Sequence, residues 1–275
     1  MVRLTYLKRF DGIAMSRKGS IPVSVATTTH DAWADVRRAL ERSGEGSPLA
    51  RSCARLRSLN PEYPRMYAIA AMANESKRRW WQLAGGLESG RVDQMMARSM
   101  DDLDLPDAAA IQVATALVHA VVGRVAALFV LERRAWDPGV DNLWIHMDSD
   151  GCIDWAGVAS PVLRVLPEDD LAGAPGAVAL PCEEALVVWT AHRCITSLEA
   201  IARSISDRAP LESRTFWSLV GDSVLGASTY VPVLAGTYES DCARRGQALL
   251  DAFVAAGAPV RTRPASAGRL RLRAS

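Results

Sequence analysis

The 275-residue chain is 49% hydrophobic and 23% charged, and its 32 basic and 31 acidic side chains nearly cancel, leaving a net charge of +1. That composition is the usual one for a folded globular protein and excludes general disorder. It supplies no field of a single sign, which argues against nucleic acid or a membrane surface as the main partner.

Length leaves one large domain or two small ones open. All but three of the basic residues, Lys8, Lys18 and Lys77, are arginine, a bias expected of a GC-rich bacterial genome. Five cysteines, an odd number, do not suggest a disulfide framework. The start "MVRLTYLKRFDG" reaches Lys8 and Arg9 before an apolar leader core can form. No run approaches the roughly 18 apolar residues that a membrane span needs. A cytoplasmic protein without membrane insertion is the expectation.

Residues 1–29 read as an N-terminal arm, with turn signals in "SRKGSIP" and a short β-branched run in "IPVSVAT". "THDAWADVRRALERSGEG" predicts a helix capped by Thr29 or Asp31 and stopped by Gly44, with Trp33, Val36, Ala39 and Leu40 on one stripe. Further helices are predicted over Pro48–Leu59 and, from the start signal "NPEYP", over Pro61–Leu87. "LPDAAAIQVATALVHAVVGRVAALFVLERR" is apolar nearly all round and predicts a central buried helix. A β-hairpin follows near 143–157, where Leu143, Ile145 and Met147 alternate with Trp144 and His146 before the turn residues "DSDG". After a Pro/Gly/Ala-rich connection at Pro167–Ala179, three helices are predicted: Cys182–Ser206, Leu211–Thr237 and Asp241–Gly257. The arginine-rich 259–275 reads as a tail. The whole is a mainly helical α+β protein, with one domain over 30–258 whose helical halves flank a small antiparallel hairpin.

The stretch "DNLWIHMDSDGCIDWAG" holds more groups capable of chemistry than any other. Read as a calcium loop it fails on register: with Gly151 in the glycine position, the first and last ligands fall on His146 and Gly157, and neither suits. A hairpin turn is the better reading, and it gathers Trp144, His146 and Asp154 on neighbouring strands. Four histidines, with no HExxH, HxH or CxxC, form no metal signature. Cys182 lies about 15 Å of helix rise from His192 and Cys194, too far to share an ion with them. His119, inside the most apolar helix, reads as a hydrogen-bonded core histidine, with a buried general base as the sharper alternative. "GDSVLG" lacks the strand and the glycine spacing of a nucleophile elbow, so Ser223 reads as one of several small residues that permit close approach, with Asp222 and Tyr230 able to reach that space.

The runs "ESKRRWWQLAGGL", "ATALVHAVVGRV", "NLWIHMDSDGCIDW" and "RTFWSLVGDSVLGAS", in this order across about residues 45–258, resemble the FhuF-like ferric-siderophore reductases. That family carries a C-terminal Cys-Cys pair followed by Cys-x-x-Cys, which holds a 2Fe-2S centre through thiolates. Here Cys242 is the only cysteine after Cys194, so no ligand carries over. The resemblance implies the fold and a pocket for a siderophore-sized molecule, without the redox step.

Three functions follow as expectations. The first is a small-molecule-binding relative of iron reductases acting in siderophore or specialised metabolism, with arginines such as Arg124, Arg133, Arg193 and Arg214 facing acidic groups. The second is a cofactor-independent cyclase, isomerase or dehydratase of natural-product biosynthesis. It would use His146, Asp154 or His192 in catalysis and a pocket lined by Trp81, Trp144, Trp155, Trp189 and Trp217, with Arg193, Asp222 and Tyr230 in reach of ligand. The third is a non-catalytic partner protein that uses Trp and Arg as anchors. No cofactor and no metal is expected, and a homodimer stays open.

Overall fold

The computed structural model describes residues 46–76 and 78–260. The N-terminal arm, the helix expected over residues 30–44 and nearly all of the tail lie outside the described residues.

Helix α1 (Pro48–Ser58) starts with Pro48 in its first turn and the Ser47 hydroxyl accepting the Ala50 N–H at 3.2 Å, the usual way of satisfying orphan amides there. The segment Pro61–Leu87 is mostly not the predicted helix. It runs through turns into a two-residue strand β1 (Ala70–Ala71), a 3-10 turn (Met72–Asn74), strand β2 (Trp80–Gln82) and the short helix α2 (Leu83–Glu88). The adjacent Trp80 and Trp81 explain the difference, because in a strand they enter opposite sides of the sheet and both are buried. Helix α3 (Arg91–Leu103), which the sequence reading did not single out, follows Gly90 at φ 79°.

The long apolar stretch forms α4 (Pro106–Val118), a π-helical turn (His119–Gly123) and α5 (Arg124–Glu132) in direct succession. Residues 121–130 are all buried. Contrary to the sequence-based expectation, Pro106–Glu132 is long and apolar enough to cross a membrane, and 83% of its most apolar window is buried inside the fold. Helices α3, α6 (Glu183–Ser206), α7 (Ser213–Ala235) and α8 (Glu239–Ala255) pack around this rod. Close approach is built in: a Cβ on Gly246 of α8 would lie 1.8 Å from the Ser228 Oγ of α7, and one on Gly221 would lie 2.3 Å from the Val260 carbonyl.

Two small sheets complete the mainly helical α+β fold. The first has the order β1, β5 (Ile153–Val158), β4 (Leu143–Met147), β2, with β4 antiparallel to both neighbours and β1 parallel to β5. The second joins β3 (Ala135–Trp136), β6 (Leu163–Val165) and β7 (Ala177–Ala179), with β6 and β7 parallel. Both sheets are therefore mixed, and the predicted hairpin is the centre of the larger one. Its inner face, through Leu143, Ile145, Ala156 and Val158, joins the main core with the central rod. Its outer face carries a separate cluster of Ala70, Met72, Trp80 and Trp155, with Trp144 against it.

One buried cation ties rod to sheet. Arg124, 2% exposed, donates through Nη1 to the Arg65 carbonyl and to the Ala68 carbonyl at 2.9 Å, and through Nη2 to the Asp154 carbonyl at 3.4 Å. Burial pulls its guanidinium down to about 10, with Asp154 acting in opposition, so it remains charged at neutral pH. Replacement of Arg124 by alanine strands three carbonyls, and a loss of about 3–5 kcal/mol is expected by urea unfolding, with Arg124→Lys restoring only part.

Candidate functional site

The hairpin register explains how the outer face is built. His146 pairs with Trp155 and Trp144 with Gly157, while Trp80 of β2 lies beside His146 on the other edge. Alternation puts these side chains on one side. The register then slips between His146 and Met147, so that Met147 faces Ile153 and Asp154 is left without a partner. A bulge of this kind re-aims one side chain. The Asp154 carboxylate consequently reaches His146, with Oδ1 at 2.5 Å from Nδ1, and its other oxygen pairs with Arg65 at 2.9 Å.

A carboxylate only accepts, so in the neutral imidazole the shared proton sits on Nδ1 and the Nε2 lone pair is left over. No described residue hydrogen-bonds Nε2. The His146 side chain keeps 17% of its surface, and the Trp80 ring tilts against it with centroids 5.0 Å apart. Trp80 also meets Trp155 at 5.6 Å. Gly157 makes room for this, since a Cβ there would lie 2.6 Å from the Met72 sulfur and 3.0 Å from the Trp80 ring. Arg65 and Arg57 stand over Trp155, their guanidinium carbons 4.5 and 5.7 Å from its ring centroid. The arrangement is a His–Asp pair at the edge of an aromatic platform, with two solvent-exposed cations beside it.

Of the residues singled out in the sequence, His146, Asp154, Trp144 and Trp155 come together here. The other six do not. His192 is exposed on α6, Trp189 of the same helix stacks with Arg164 at 5.0 Å, and Arg193 is held by Asp137 at 2.7 and 3.0 Å. On α7, Trp217 packs edge-on against Phe216, Asp222 is exposed, and Tyr230 is 64% exposed instead of entering a space among small residues. None of these six forms a hydrogen bond, ion pair or ring contact with His146, Asp154 or Trp155. Trp81 faces the main core. Of the arginines expected to face a ligand, Arg124 is bound to carbonyls, Arg133 to Glu168 and Arg193 to Asp137. Ser223 lies within helix α7, where no strand delivers it. Arg57, Arg65 and Trp80 were missed. The Trp-Trp dipeptide, read as strand instead of helix, was the signal that could have exposed Trp80.

The thiols do not make the donor set of a 2Fe-2S centre. Cys53, Cys194 and Cys242 are buried on α1, α6 and α8, and Cys152 and Cys182 are exposed elsewhere. Among the described residues no three His, Cys, Asp or Glu side chains converge as metal ligands. Burial raises the Cys53 thiol to about 11 and lifts Cys194 further, so neither is a thiolate nucleophile at neutral pH.

Compared with known proteins, the chain matches no family model, no curated protein and no solved structure. The site therefore rests on its own geometry.

A second histidine underlies it. His119 opens the π-helical turn, and its Nε2 contacts the Met66 carbonyl at 3.0 Å, so Nε2 carries the proton. Its Nδ1 lies over Gly123, where a Cβ would come within 2.3 Å. Burial, then the nearby Arg124 charge, holds its pKa down to about 4, so the native state excludes a proton that the unfolded chain takes up below about 6.5. Stability is expected to fall as pH drops from about 6.5 to about 4 and, from this group, no further. Urea midpoints measured across that window should show the slope in the wild type and a shallower one in His119→Gln.

Proposed function

We propose that the protein binds a small acidic molecule on the outer face of the four-stranded sheet, as a cluster-less relative of ferric-siderophore reductases acting in siderophore or specialised metabolism. The observation that carries this reading is the pair Arg57 and Arg65 stacked on Trp155 beside His146 and Asp154. Guanidinium groups offer forked donors to carboxylates, hydroxamates and catecholates, and the indole rings offer flat apolar area to the body of such a ligand. Arg57 has no ion-pair partner among the described residues, and Arg65, half exposed, can exchange the partly exposed Asp154 for a ligand oxygen at modest cost.

A second reading, a cofactor-independent tailoring enzyme, is favoured by the 2.5 Å contact between His146 and Asp154. Asp154 would orient the imidazole and Nε2 would take a proton from bound substrate, a contribution worth about 10²- to 10⁴-fold in rate.

Titration of the full chain with ferric and iron-free hydroxamate and catecholate chelates, followed by indole N–H signals, separates the outcomes. Binding here shifts Trp80 and Trp155 and weakens about tenfold or more in Arg65→Ala. Shifts confined to Trp189 and Trp217, or none, contradict the site. If a bound chelate or its precursor is consumed, and kcat falls in Asp154→Asn while binding persists, the enzyme reading stands. Ligand recovered unchanged leaves the binding reading alone.

A further inference from the structure

The opposite face of the same sheet carries a cleft that the His146–Asp154 platform does not use. It holds about 310 Å³ between helix α3 and the end of the hairpin, and Arg79, Arg91, Arg98, Trp81, Met147 and Ser149 line it. A volume of that size matches the low end of small-ligand sites, about 300 Å³.

Its cations come from two elements. Arg91 and Arg98 lie seven residues apart on α3 and so share one stripe with Gln94 between them. The Gln94 Oε1 accepts from Arg91 Nη1 at 3.1 Å and steadies it. Arg79 immediately precedes β2 at φ 66°, a left-handed conformation uncommon for a residue with a side chain. The carbonyl of Arg79 accepts the Met147 N–H at 3.3 Å, which fastens this backbone to β4. Such strain persists where the surroundings impose it and concentrates at ligand sites. Gly151, at φ 75°, lets Arg98 lie across the hairpin turn: a Cβ there would sit 2.5 Å from Arg98 Nη1.

Neither Arg79 nor Arg98 forms an ion pair with a described residue. The single acidic lining residue, Asp148, already accepts the Cys152 N–H at 2.9 Å through Oδ1. Trp81, 7% exposed, closes one wall of the cleft.

The contrast with the other large cleft is direct. That one, about 350 Å³, is lined by Arg55, Arg134, Glu132, Asp169 and Asp170. Its charges are consumed internally: Arg134 pairs with Glu132 at 3.0 Å, with Asp169 at 2.7 Å and with Asp170, and Arg55 pairs with Glu132 at 3.4 Å. The α3 cleft gathers cations without that neutralisation.

We propose that the cleft between α3 and the hairpin is a binding site for the oxyanion group of a small metabolite, with Arg79, Arg91 and Arg98 as its clamp. Three guanidinium groups from two elements suit a multiply charged oxyanion, whose oxygens accept forked N–H pairs. Met147 and the Trp81 ring offer apolar surface to the rest of the ligand. The site is separate from the outer face, and its reporter is Trp81, not Trp155.

The test is calorimetric titration of the full chain with inorganic phosphate, pyrophosphate and citrate in low-chloride buffer, with the Trp81 indole signal recorded in parallel. Saturable binding that moves Trp81 and weakens about tenfold or more in Arg98→Ala and in Arg79→Ala is the expected result. Preference for phosphate or pyrophosphate assigns a phosphate ester, and preference for citrate a carboxylate. Arg98 is exposed on α3, so its removal is expected to leave folding intact, and thermal unfolding of the variant checks this. No saturable binding by any of the three anions overturns the proposal, as does binding that survives both substitutions.

Discussion

The guanidinium of Arg124 is the contact on which the molecule's functional geometry depends. It sits directly after the π-helical turn of a rod rich in alanine, valine and leucine, where an unpaired charge would be prohibitive. Three carbonyls resolve the problem, and they belong to the two segments that build the outer face: Arg65 and Ala68 from the loop before β1, and Asp154 from β5. The same residue that satisfies the core charge thus holds both partners of the Arg65–Asp154 pair from beneath.

From that constraint the rest follows in sequence. The slip in register at His146 leaves Asp154 unpaired in the ladder, and its backbone carbonyl, fixed by Arg124, leaves the side chain to close on His146 and Arg65. His119, through its contact with the Met66 carbonyl, fastens the same loop a second time. The four-stranded sheet then presents different chemistry on its two sides: indoles, imidazole and carboxylate outward, and an arginine-lined cleft against α3 inward. Trp80 and Trp81, adjacent in the chain, serve one side each.

Much of this was legible in the sequence where periodicity is long. The central helix, the hairpin and the three C-terminal helices declare themselves through sustained patterns, with the turn residues "DSDG" marking the hairpin. Pro61–Leu87 was not legible, because its strands are two and three residues long and carry too few alternations to outweigh a helix-start signal. The candidate site divides in the same way. His146, Asp154, Trp144 and Trp155 are near in sequence, so a hairpin alone unites them. Trp189, His192, Arg193, Trp217, Asp222 and Tyr230 sit on long helices, where nothing in a stripe says which neighbour it meets, and they proved to be core, surface or ion-pair residues. Arg57 and Arg65 could not be told from the other arginines without knowing that both stack on Trp155 and that Arg65 reaches Asp154.

The central claim is that the core, through Arg124 and the bulged Asp154, holds His146 with its proton on Nδ1 and leaves Nε2 without a partner among the described residues. Long-range proton–nitrogen NMR spectra of the imidazoles at neutral pH test it directly, because the chain has only four histidines and His146→Gln assigns the signal. The account predicts an Nδ1-protonated His146 in the wild type and loss of that preference in Asp154→Ala. An Nε2-protonated His146, or a mixture of tautomers indifferent to Asp154, would contradict it.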